Sequence, residues 1–138
     1  SILSEEGFDK IKSGLKMTEA GIEKAEFDIV ASKNKKILHI ECKTERTPWR
    51  MRNYFNPKEL EKEGQDFLNE NKLSPEEWSC KLQWLRPVIE KHFGFGCRDL
   101  SNVVVTDMPT PAQNICQHVK ILWVGRLKDY VTTSSRFG

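Results

Sequence analysis

The stretch EFDIVASKNKKILHIECKTE, residues 26–45, holds two apolar runs joined by a polar turn. Val, Ile and Leu mark both arms as strands, Phe27–Val30 and Ile37–Lys43, and residues 32–36 supply the turn chemistry between them. Side chains alternate along a strand. Leu38, Ile40 and Cys42 therefore predict a core face, and His39, Glu41 and Lys43 a polar one.

A turn centred between Asn34 and Lys35 sets Asp28 opposite Glu41 and Glu26 opposite Lys43, all on one side of the sheet. Directly opposed side chains lie roughly 5 Å apart at Cβ, where like charges destabilise the pair. Two carboxylates so placed want a cation between them. Hard oxygen donors suit Mg²⁺ or Mn²⁺ rather than a thiophilic metal. Lys43 points the same way, about 7 Å further along the strand. A metal-held acid pair with a positioned lysine is an apparatus for phosphodiester hydrolysis: the metal neutralises charge and acidifies water, and the ammonium stabilises the transition state or moves a proton. The structural alternative is a hairpin with one wet face, in which Glu26 and Lys43 form a surface pair.

Asp28, twelve intervening residues, and then Glu41-Cys42-Lys43 resembles the D…(D/E)xK signature of the PD-(D/E)xK nuclease superfamily. The resemblance implies a restriction-endonuclease-like α/β sandwich, with a central mixed sheet (a three-strand meander plus further strands) flanked by helices. It implies metal ligation by Asp28, Glu41 and the backbone carbonyl of Cys42, with Asp28, Glu41 and Lys43 as the catalytic set. Many members add a first-helix glutamate near the metal, for which Glu5 and Glu6 are the candidates here. Phe27 stands where the family usually has proline. The EFDIV…ILHIECKT pattern also resembles nuclease domains fused to sensors, including CRISPR-associated effectors. The implied activity is divalent-metal-dependent cleavage of DNA or RNA, endonucleolytic rather than exonucleolytic, with a homodimer as one assembly that cuts two strands. A module of the same fold that binds nucleic acid or regulates without turnover is the alternative. A protein-interaction domain is a third reading.

The rest of the chain fits one folded unit. Its 138 residues include four Trp and seven Phe, enough for a real core. Twenty-two basic and twenty acidic residues leave a net charge of +2, so only a local patch could draw a nucleic acid. The segment RTPWRMRNYF, residues 46–55, is the candidate patch: Arg46, Arg50 and Arg52 for phosphates, interleaved with Trp49 for bases. The other reading of that segment is a solvated loop. Cys42, Cys80, Cys97 and Cys116 are spread without a CxxC, which predicts free thiols in a reducing intracellular compartment. His92, Cys97, Cys116 and His118 match no zinc-finger spacing. No apolar run reaches membrane-span length. The chain opens at Ser1 without Met, which predicts a domain cut from a longer protein with a regulatory domain upstream.

A helix is expected from Ser4 to about Leu15 on the spacing of Phe8, Ile11 and Leu15, followed by a strand somewhere within 16–23. Asn56-Pro57 and Ser74-Pro75-Glu76-Glu77 announce two helices, and Pro87 breaks the second near Arg86. Strands at Val103–Thr106 and Ile121–Val124 complete the predicted sheet, with the nuclease-type domain over 1–131 and a flexible tail over 132–138.

Overall fold

The computed structural model describes residues 2–45, 56–94 and 99–133. A five-stranded mixed sheet runs β1 (Lys10–Glu19), β2 (Ile22–Lys33), β3 (Lys36–Lys43), β4 (Asp99–Thr106) and β5 (Lys120–Trp123), in that spatial order. The first three strands form an antiparallel meander, and β4 and β5 add parallel to β3. Helices α1 (Ile2–Glu5), α2 (Pro57–Glu70), α3 (Pro75–Leu82), α4 (Leu85–Phe93), α5 (Ala112–Ile115) and α6 (Leu127–Thr133) surround it. The chain is thus an α/β fold with a meander and further strands. Among the described residues, no helix is long and apolar enough to cross a membrane.

The β2–β3 hairpin has the register its turn predicts: Lys33 opposes Lys36, Val30 opposes His39, and Ile29 opposes Ile40. Asn34 and Lys35 both take positive φ, the geometry that lets a two-residue turn follow the strands' right-handed twist.

The N-terminal expectation is corrected. Helix α1 stops after Glu5, and Gly7, at φ 89°, turns the chain into β1. Phe8, Ile11 and Leu15 have helical spacing, but Ile11 pairs with Ala31 and Leu15 with Phe27 across the sheet. Long-range pairing to an apolar neighbour outweighed a short local periodicity. The predicted polar face of β3 is corrected too. His39 is 0% and Glu41 4% exposed, whereas Cys42, assigned to the core face, is exposed. The reason is position: β3 lies between β2 and β4, so helices cover both of its faces. One face packs Ala31, Leu38, Ile40 and Val103 against Leu3, Leu127 and Val131. The other packs Val30 and Ile37 against Leu85 and Val88, and Val104 and Ile121 against Phe67 and Trp78.

The helix starts follow their capping residues. Asn56 accepts from the Glu59 N–H at 3.3 Å, and Ser74 from the Glu77 N–H at 3.2 Å. The break before Pro87 separates α3 from α4, which restarts at Leu85. Thr132 and Thr133, assigned to the tail, belong to α6, and their hydroxyls donate to the Lys128 and Asp129 carbonyls; residues 134–138 lie outside the described residues.

Gly64 brings α2 onto α5. A Cβ there would lie 2.8 Å from Ile115 Cδ1 and 3.1 Å from the Ala112 backbone nitrogen. Alanine favours a helix interior over glycine, and the Ile115 tip can turn aside, yet the Ala112 backbone at 3.1 Å must also give by a few tenths of an ångström. Gly64→Ala is expected to lose a net of about 1–2 kcal/mol in chemical denaturation. Unchanged or raised stability would show that α5 is free to shift.

Candidate active site

The site forms where β2 and β3 part. Their ladder runs only as far as Ile29 and Ile40. One residue further, the Asp28 carboxylate takes the place of a backbone acceptor: the Cys42 N–H donates to Asp28 Oδ2 at 2.8 Å. On the other side, β1 pairs Ser13 with Ile29 and Leu15 with Phe27, skipping Gly14, whose φ is 63°. Glycine lets β1 follow the distortion of β2 at Asp28 without a side-chain penalty. Phe27 consequently turns inward, fully buried, with its ring edge-on to His39 at 5.3 Å.

Glu41 is buried among cations. The Lys81 ammonium, from α3, donates to Glu41 Oε2 while lying 5.4 Å over the Phe27 ring. Lys43 Nζ is 4.0 Å from Glu41 Oε1. His39 Nε2 faces Oε2 at 3.6 Å, just beyond hydrogen-bond reach. His39 itself is held between Asn102, whose Oδ1 is 2.9 Å from Nδ1, and the Trp78 ring stacked at 5.8 Å. A cavity of about 390 Å³ opens beside Glu41, lined in part by Lys24, Glu26, Lys43, Lys72, Lys81 and Trp84.

The two acids titrate apart. Burial pushes Asp28 up and the neighbouring Glu41 charge pushes it further, with the Cys42 N–H and Lys81 only partly offsetting them. Burial also opposes ionisation of Glu41, but His39 and Lys81 outweigh it and hold Glu41 down at about 2, against an ordinary 4.5. Glu41 therefore binds fewer protons folded than unfolded across that range. Its contribution to stability is complete above pH 4.5 and is lost as pH falls through about 2. Melting temperature against pH should drop along this limb in the wild type and flatten in Glu41→Gln. Superimposable acid limbs would mean that Glu41 carries no such linkage.

Asp28, Glu41 and Lys43 are brought together, with the Cys42 backbone between the acids. Glu5 and Glu6 are not: α1 packs on the opposite face through Leu3, and among the described residues no group of three or more His, Cys, Asp or Glu gathers for a metal. The pair thus offers two carboxylates. Arg46, Trp49, Arg50 and Arg52 lie outside the described residues, as does Cys97. Cys116 Sγ sits 3.5 Å from His118 Nδ1, while the other ring nitrogen bonds the Leu73 carbonyl at 2.7 Å. Sequence reading missed Lys81. Its signal was a charge one turn after Trp78, on the side of α3 that meets the sheet.

No protein-family model matches the chain, and no curated protein matches it. A solved structure, "Crystal Structure of Protein of Unknown Function AF1548", is similar at 18% identity and a TM-score of 0.40. The alignment covers 98% of this chain, which spans 56% of that one.

Proposed function

We propose that the chain is a metal-dependent nuclease domain of restriction-endonuclease-like fold. One observation carries the reading: a buried glutamate and a second carboxylate meet where two strands part, beside a cavity that Lys43 and Lys81 border. The donor set fits a hard divalent cation. Glu41 is held ionised, Asp28 lies beside it with Oδ2 fixed by the Cys42 N–H, and the Lys81 ammonium already sits against Glu41. Asp28, Glu41 and the Cys42 carbonyl would hold Mg²⁺ or Mn²⁺. Such an ion supplies charge neutralisation and acidifies a water at neutral pH.

The chain's own groups do the rest. The Cys42 N–H fixes the Asp28 carboxylate, and Phe27, His39 and Trp78 wall Glu41 from water on its inner side. Lys43, a quarter exposed at the cavity, is placed to stabilise charge building on a phosphate or to hold a proton at Nζ. Incubation with plasmid, single-stranded DNA and RNA tests the reading. Cleavage of at least one is expected with Mg²⁺ or Mn²⁺ and none with EDTA; intact polymers throughout would refute it.

A second reading, a silent nucleic-acid-binding or regulatory module, is favoured by the Lys81 contact, which occupies a Glu41 oxygen. It predicts polymer binding with no cleavage and no Mn²⁺ uptake in calorimetry.

A further inference from the structure

Resting on the nuclease reading and going beyond it, we propose that Lys81 is the resident counter-cation of the carboxylate pair, and that a divalent ion binds by displacing it. Glu41 is 4% exposed, and a carboxylate so far from water needs a compensating charge at all times. Lys81 supplies it from a different element, α3, and its charge also acts on Asp28. Lys43, at 4.0 Å from the other oxygen, is too distant to hydrogen-bond Glu41. A divalent ion held by Glu41 and Asp28 would meet the Lys81 ammonium at contact distance, where the two positive charges repel each other in a site with little water to screen them.

The geometry provides for departure. The Lys81 side chain is a quarter exposed and already borders the cavity of about 390 Å³. Its ammonium lies over the Phe27 ring, and rotation about the side-chain bonds moves that ammonium without repacking the sheet. That cavity is bordered by Lys24, Lys43 and Lys72 and also by Glu26 and Glu77. An ammonium released from Glu41 is free to meet a phosphate there.

Titration calorimetry with Mn²⁺ alone, beside thermal melts with and without Mn²⁺, tests this on wild type, Lys81→Met, Lys81→Arg and Glu41→Gln. Lys81→Met is expected to bind Mn²⁺ about tenfold more tightly than wild type, because the competitor is gone. Its metal-free form should melt below wild type, and Mn²⁺ should raise its melting temperature by more. If it fails to fold without metal, folding on Mn²⁺ addition is the same result. Lys81→Arg keeps the charge and should bind Mn²⁺ no more tightly than wild type; tighter binding there would overturn the proposal. So would equal or weaker Mn²⁺ binding by Lys81→Met when wild type binds and Glu41→Gln does not. That outcome leaves the nuclease reading standing. If no chain of the four binds Mn²⁺, both fall together.

Discussion

Glu41→Ala and Asp28→Ala are each expected to abolish Mn²⁺ binding and phosphodiester cleavage together. The loss should exceed the roughly 10²–10³ that follows removal of one electrostatic stabiliser, because it takes the metal with it. The two variants should differ in stability. Glu41→Ala leaves Lys81 and His39 facing a gap, but Lys81 is a quarter exposed and can turn to water. Asp28→Ala removes the acceptor of the Cys42 N–H, and because Cys42 is exposed water can replace it, so the loss should stay near the roughly 0.5–1.5 kcal/mol of an ordinary hydrogen bond. Asp28→Asn keeps an oxygen for that N–H and should recover stability without recovering the metal. Calorimetry, single-turnover cleavage and a melt on the same preparations give the answer. A folded Glu41→Ala chain that still takes up Mn²⁺ and cuts would remove the carboxylate pair from the mechanism.

Lys43→Ala is expected to behave differently from the acids. An ammonium has only donors and cannot ligate a cation. Mn²⁺ affinity should stay level or rise slightly, since Lys43 Nζ lies 4.0 Å from Glu41 Oε1 and its charge opposes a second cation. Cleavage should nonetheless fall by roughly 10²–10⁴, the range for losing a positioned proton-transfer group or charge stabiliser. Polymer affinity should drop far less than rate, because the contact strengthens only as charge builds on the phosphate. A lysine that merely decorates the strand end predicts a stability change below about 1 kcal/mol and unchanged rate. Wild-type rates in Lys43→Ala would support that reading instead.

Local chemistry made much of the molecule legible. Asn34 and Lys35 set the turn, and the turn set the β2–β3 register as far as Ile29 and Ile40; Asp28 and Glu41 meet just past the end of that ladder, through side chains rather than as a ladder pair. Asn56 and Ser74 marked two helix starts because a capping side chain acts within three residues of itself. The stretch from Phe8 to Leu15 was misleading for the same reason. Its spacing satisfies a helix, and only the distant β2 strand, pairing with it from Lys10 onward, decides that it extends.

What the sequence by itself determined is therefore the hairpin, its register, its acids and its lysine, all consequences of interactions spanning few residues. What only the tertiary structure decided is the environment that gives them chemistry. That β3 is an inner strand, and that Glu41 lies dry beneath α3, follow from β4 adding parallel beside it some sixty residues later and from the packing of α3 on that face. Lys81 reaches Glu41, and Asn102 reaches His39, only because α3 and β4 are packed there by the apolar core around Trp78 and Val104. Burial and charge compensation are properties of what surrounds a side chain in space. A linear pattern can show that an acid is present, but only packing decides how much water and which cation it keeps.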